Sequence, residues 1–212
     1  GDMYSFGTSG STERALGGLR SGTLTPIIGA AFTNNSGATV TSLDIAYTGE
    51  QWRLGTSGRT DRLDFQYSTS ATSLTTGTWA DVNTLDFPGP ISVGTVGALN
   101  GNAAANRAAI SGTISGLTIP NGATLFIRWT DFDASGADDG LAVDDFSITP
   151  RATSSPTGIG SADPSSVDPG GTTVLKVTVT PGVGPASTGL SVTADLAAIG
   201  GPATQPFFDD GT

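Results

Sequence analysis

Residues 123–149 read ATLFIRWTDFDASGADDGLAVDDFSIT, and the first arm of this stretch carries Leu125, Ile127 and Trp129 at every second position. A side-chain period of two belongs to an extended strand with one buried face, not to a helix. Phe146 and Ile148 keep the same beat on a second arm, with a Ser/Gly/Asp-rich turn between the two. The spacing predicts a β-hairpin turning at Ser135–Asp138. In that register Leu125, Ile127, Trp129, Asp131 and Asp133 share a face with Asp144, Phe146 and Ile148. One face then runs from apolar core into a group of carboxylates.

The rest of the chain is punctuated in the same way. Its 212 residues include 31 glycines and 12 prolines, a density that favours many short strands and turns over helices. MYSFG (3–7), ALGGLRSG (15–22), TPIIGAAFTN (25–34), RLDFQYS (62–68) and AAISGTISGLTI (108–119) read as strands. TVTSLDIAYTGEQWRLG (39–55) is the longest; its apolar beat moves from Leu43, Ile45 and Tyr47 to Trp52 and Leu54, which predicts a β-bulge at Gly49. Residues 69–106 read as long loops with one or two short strands, and helix is allowed only near 103–110.

PRATSSPTG (150–158) has no periodicity and reads as a linker. The expected organisation is a jelly-roll-type antiparallel β-sandwich over 1–150, a linker at 151–156, and a smaller immunoglobulin-like β-sandwich over 157–212. In the last part TVLKVTVT (173–180) and LSVTADL (190–196) are strands, with short partners expected near 161–165 and 204–208. About four strands fall short of the roughly seven of an immunoglobulin-like sandwich. Further chain or a neighbouring copy is therefore expected to complete that sheet.

Charge narrows the partners. There are 19 acidic and 9 basic residues, a formal net charge of −10, which repels phosphate backbones and attracts cations. Neither Cys nor His occurs, so thiol nucleophiles, disulfides, imidazole bases and the usual zinc ligands are excluded. With no apolar run of membrane-spanning length, nucleic acid and membrane insertion are not expected. Composition favours an exported, extracellular or surface-bound protein.

DFDASG (131–136) matches the first half of a D-x-D-x-S-G calcium loop, since alternating carboxylates at a Gly turn supply the hard oxygens calcium requires. The twelfth position counted from Asp131 is Ala142 where an EF-hand carries Glu, so that motif is excluded. Asp131, Asp133, Asp138, Asp139 and Asp144 are the candidate calcium ligands. Six Asp lie between residues 131 and 145 and repel one another unless an ion or Arg128 compensates. The plainer reading is that Asp, Ser and Gly are turn formers. Alternation places Trp129 on the core face and Trp52 beside the expected bulge, so both are expected to pack in the core, leaving Trp79 as the candidate sugar-stacking ring. Glu50 and Arg53 read as a surface ion pair.

The strings YSFG, ERALGGLRSG, IGAAFTNNSG, TSLDIAYTGEQWR, LDFQYS, RWTDFD and GLAVDDFSIT resemble an uncharacterised β-sandwich module of large secreted bacterial proteins. Those proteins also carry lamin-tail, immunoglobulin-like and endonuclease/exonuclease/phosphatase modules. GLAVDDFSI is similar to the last strand of MAM-type jelly rolls, and residues 157–212 resemble a bacterial immunoglobulin-like repeat. The resemblance implies an extracellular, modular, bacterial setting and brings no catalytic residue with it.

The expected function is a non-catalytic structural or adhesive module of the bacterial surface or secretome, stabilised by calcium. Two alternatives stand beside it: a subunit of an extracellular filament, joined to copies of itself through the edges of the C-terminal sheet, and a carbohydrate-binding accessory domain of a secreted hydrolase, meeting surface glycans through Trp79.

Overall fold

A computed structural model describes residues 1–184 and 186–209, which divide into two compact units, Gly1–Arg151 and Ala152–Thr212. The chain is all-β. In the first unit the strands are β1 (Asp2–Phe6), β2 (Ala15–Leu19), β3 (Ile27–Thr33), β4 (Thr39–Leu54), β5 (Arg62–Ser68) and the two-residue β6 (Ala80–Asp81). They continue as β7 (Phe87–Pro88), β8 (Gly97–Ala98), β9 (Arg107–Ile114), β10 (Thr124–Asp131) and β11 (Gly140–Thr153). Among the described residues no helix is long and apolar enough to cross a membrane.

One sheet runs β1-β2-β11-β4 with β8 and β9 both on β4; the other runs β3-β10-β5 with β6 and β7 both on β5. The first long strand of the wrap, β2, therefore lies beside the last, β11, and successive long strands alternate between sheets. That is jelly-roll topology. Its consequence for function is geometric: the β2–β3, β4–β5, β7–β8 and β10–β11 connections all meet at one end.

The core forms where the two inner faces interleave. Trp129 of β10 is 3 % exposed and receives three rings edge-on: Tyr47 at 5.1 Å, Phe65 at 5.2 Å and Phe146 at 5.4 Å between centroids. Leu63, Ile45, Leu125 and Ile127 are buried in the same unit.

Here the predicted hairpin fails. β10 pairs with β3 and β5 in one sheet, while β11 pairs with β2 and β4 in the other. The two arms face each other across the core through Trp129 and Phe146 instead of lying side by side. Nor do they keep a common beat. Asp145 adopts a left-handed backbone at φ 50°, and this interrupts the alternation of β11. Ala142 consequently packs with Ala15, Trp52 and Phe6 on the outer side, and Asp144 faces the same way.

The bulge expected at Gly49 is also absent from the β4–β9 ladder, which runs one for one through Thr48↔Ala109, Gly49↔Ala108 and Glu50↔Arg107. The change of beat has another cause. Trp52 is buried on the outer face, stacked on Phe6 at 5.8 Å with 10° between the planes. Gly49 is required because a Cβ there would lie 2.2 Å from the Phe87 ring. Gly49→Ala is expected to destabilise the first unit by about 1–3 kcal/mol through overpacking, measured by urea unfolding.

The second unit contains β12 (Thr157–Asp163) paired antiparallel with β13 (Val174–Thr180), and β14 (Val192–Ala194) paired antiparallel with β15 (Gln205–Phe207). Leu175, Val177 and Val179 share one half-buried face, as alternation predicts. Among the described residues these are two separate two-stranded ladders, so an immunoglobulin-like sandwich is not shown.

Candidate functional site

The end of the first sandwich where the four connections meet gathers Asp61, Asp131, Asp138 and Asp139, none more than 7 % exposed. Asp131 closes β10 on its inward beat, so its carboxyl follows Trp129 and Ile127 into the interior. Asp61 stands immediately before β5, and Asp138 and Asp139 stand immediately before β11. Three stretches of chain bring them in: the loop before β5, the end of β10 and the start of β11.

Asp139 is the most fully held. Its Oδ1 accepts the Gly55 N–H at 2.7 Å, and its Oδ2 accepts the Gln51 side-chain amide at 2.7 Å. Gln51 in turn grips the Ile91 backbone, donating to its carbonyl at 2.9 Å and accepting its N–H at 2.7 Å. Gly55 has no alternative residue, since a Cβ would lie 2.1 Å from the Ala137 carbonyl oxygen. Asp61 accepts the Asp139 N–H at 2.8 Å and the Arg62 N–H at 2.9 Å.

Arg59 is the cation that answers these acids. Its guanidinium lies 3.1 Å from Asp61, 3.9 Å from Asp139 and 4.0 Å from Asp138, and it donates to the Ala137 carbonyl. Arg53 donates to the Asp138 carbonyl at 2.6 Å. Arg20 donates to the Asp131 carbonyl at 2.9 Å and pairs with the exposed Asp133 at 3.2 Å. These contacts tie the loops after β2, β4 and β10 into one polar lock.

The carboxylate of Asp131 is left out of the lock. It is 2 % exposed, and neither of its oxygens meets a hydrogen-bond donor among the described residues. Burial first, then the charges of Asp61 and Asp138, push its pKa up to about 8, against a smaller opposing pull from Arg20. Burial likewise raises Asp138 and Asp139, with Asp61 adding to both and Arg59 opposing.

The five candidate calcium ligands therefore separate. Asp131, Asp138 and Asp139 converge at the loop end, Asp133 sits at its exposed margin on Arg20, and Asp144 belongs elsewhere. It joins Glu13 and Glu50 on the outer face, where one oxygen of each lies within 4.8 Å of the others. The expected Glu50–Arg53 surface pair does not form: Glu50 is 1 % exposed and accepts the Trp52 indole N–H at 2.8 Å. Glu13 accepts from the Asn102 amide.

Burial, and then Glu13 and Asp144, raise the Glu50 pKa. A raised carboxyl pKa stabilises below the unfolded value and is lost as pH rises through the folded one. Glu50→Gln keeps an acceptor for Trp52 and removes the charge. It is expected to raise Tm above neutral pH and to leave it unchanged in mild acid, as a calorimetric pH series would record.

Arg128 does not compensate the acidic loop either. Its guanidinium stacks 3.9 Å above the Trp79 ring and donates to Gln66 at 2.7 Å and to the Leu74 carbonyl at 2.5 Å. One face of Trp79 is thus closed by a cation, and its indole N–H is engaged by the Thr76 carbonyl at 2.8 Å. Trp129 packs in the core as alternation predicts, whereas Trp52 is buried on the outer face of its sheet against Phe6.

Asp61, Arg59, Gln51 and Arg20 escape a reading by sequence because they stand on separate stretches of the chain, Arg20 after β2, Gln51 within β4, and Arg59 with Asp61 in the loop before β5, all far from residues 131–139. The one local signal is Arg59-Thr60-Asp61, a charge pair set directly before a strand. Comparison with known proteins adds no constraint: no family model, no curated protein and no solved structure matches the chain.

Proposed function

We propose that this chain is a non-catalytic structural or adhesive module of a secreted or surface-bound bacterial protein, with calcium as a stabilising partner. One observation carries the reading. At the loop end Arg59, Asp61 and Asp139 are engaged with the backbones of Gly55, Arg62, Ala137 and Asp139. Charges used in this way fix loops; they do not face a substrate.

A nucleophile and base at hydrogen-bonding distance are the usual mark of covalent or acid–base catalysis. Glu13, Glu50 and Asp144, with one oxygen of each within 4.8 Å of the others, are the carboxylates where acid–base chemistry would be sought first. The test pairs two assays on the full chain. Beads coated with it are expected to retain bacterial cells or cell-wall polysaccharide, while glycoside, phosphoester and peptide substrates are not turned over. Turnover abolished by Glu50→Gln would overturn the reading.

A second reading, assembly with copies of itself, is favoured by the second unit. Leu175, Val177, Val179, Leu190, Val192 and Phe207 line a groove of about 710 Å³, and Ile159 and Val174 are 74 % and 64 % exposed. Exposed apolar side chains beside short ladders suit edge-to-edge pairing. Sedimentation that grows with concentration supports this reading, and an unchanging monomer removes it.

A further inference from the structure

We infer that Asp131, Asp61 and Asp138 together hold a divalent cation of the calcium class at the loop end of the first sandwich. This rests on the reading above for the idea that an ion stabilises the module, and it gives that ion a place. The observation behind it is Asp131 itself, 2 % exposed with both carboxylate oxygens unmet among the described residues. Asp138 Oδ1 is likewise sealed from solvent without a hydrogen bond.

The arginines nearby are aimed at other groups, although Arg20 Nε and Arg59 Nε and Nη1 are also buried without a hydrogen bond. Arg20 addresses the Asp131 carbonyl at 2.9 Å and the Asp133 carboxylate at 3.2 Å, not the Asp131 carboxylate. Arg59 lies closest to Asp61, at 3.1 Å. Arg53 addresses the Asp138 carbonyl at 2.6 Å. Five carboxylates, those of Asp61, Asp131, Asp133, Asp138 and Asp139, therefore share three guanidiniums, and the deficit falls on Asp131. A water molecule would bring donors but no charge, and an ionised carboxylate at this depth needs a counter-charge, which either a proton or a cation supplies.

The chemistry selects the ion. All the donors are hard oxygens, and the chain has no imidazole or thiolate to attract softer metals. Calcium tolerates irregular geometry and completes its shell with water and backbone oxygens. Asp131 ends a strand of one sheet, Asp61 precedes a neighbouring strand of that sheet, and Asp138 precedes β11 of the other. The oxygens of these three do not all lie within 4.8 Å of one another, so an ion held by all of them would draw the ends of the two sheets together, and its binding is coupled to folding.

The test uses the full chain in chelator, in calcium, and in sodium chloride of equal ionic strength. Thermal melts and calorimetric titration are read for the parent, Asp131→Asn and Glu50→Gln. Calcium is expected to raise the parent Tm beyond the salt control. Asp131→Asn, which keeps the shape and removes a buried charge, should fold in chelator but bind calcium at least about tenfold more weakly, while Glu50→Gln should keep the shift. No shift in the parent, an equal shift in plain salt, or a shift undiminished in Asp131→Asn would overturn the site. A shift lost only in Glu50→Gln would overturn it too, by moving the ion to Glu13, Glu50 and Asp144. None of these results bears on turnover, so failure of the site and failure of the non-catalytic reading remain distinguishable.

Discussion

Trp129→Ala is expected to destabilise the first unit by about 4 kcal/mol, a large share of the about 5–15 kcal/mol that holds a typical domain folded. The size follows from position. Trp129 is 3 % exposed, so truncation forfeits nearly its whole transfer free energy and leaves a cavity that rigid strands cannot collapse. Tyr47, Phe65 and Phe146 each meet it edge-on, at 77°, 78° and 89°, and each such pair adds about 0.5–1.5 kcal/mol beyond area. Phe146 comes from the opposite sheet, so the substitution also weakens the sheet-to-sheet contact. Urea unfolding followed by tryptophan fluorescence and circular dichroism measures the loss. Phe126→Ala, one residue off the inward beat of the same strand, serves as the comparison and should cost far less.

The stability of the calcium-free protein is expected to fall as pH rises from mildly acid to neutral. Burial pushes the Asp131 carboxyl up to about 8, from an ordinary aspartate value of 3.8. Between those values the native state holds a proton that the unfolded chain releases, so the slope of unfolding free energy with pH is negative. The contribution is present in full below about pH 4 and is lost progressively up to about pH 8. One group shifted this far accounts for on the order of 5 kcal/mol, and Glu50, Asp86, Asp138 and Asp139 shift in the same direction. Denaturant melts in chelator across this range measure the fall. Asp131→Asn should flatten it, so that at alkaline pH the variant is more stable than its parent. Calcium should flatten it in the parent, because an ion takes over the role of the proton.

The strands were legible because a half-buried sheet writes itself as alternation. Leu43, Ile45 and Tyr47 mark β4, Leu63, Phe65 and Tyr67 mark β5, and Leu125, Ile127 and Trp129 mark β10. Partnership was not legible in the same way. A strand that faces another across a core has the same inward beat as one lying beside it, so β10 and β11 read as a hairpin. The eight residues between them, 132–139, are more than the two to five usual in a hairpin turn, and this is the clue that favoured a crossing between sheets.

Two further misreadings have local causes. The shift of beat in β4 came from a second apolar layer, Trp52 on Phe6, which covers the outer face. The true interruption lies at Asp145, where a left-handed residue turns Asp144 away from Asp131. A non-glycine residue in that region leaves no mark in apolar spacing.

The acidic character of the 131–139 loop was plain from the sequence, and so was the need for compensation. Which group supplies it was not. Arg128 is near in sequence but lies on the outward beat of β10, where it covers Trp79. Arg59 and Arg20 are distant in sequence and arrive only because jelly-roll winding collects their loops at one end. Asp61 is hidden for the same reason.

The most direct measurement is a crystal structure of the full chain grown in calcium, with an anomalous difference map calculated at a wavelength where calcium scatters strongly. A peak bound by the Asp131 carboxylate, with Asp61 and Asp138 turned toward it, is the expected result. Asp131 sitting against water alone, or against the guanidinium of Arg20 or Arg59 with no peak beside it, would mean that the sandwich closes its own acidic end and needs no ion.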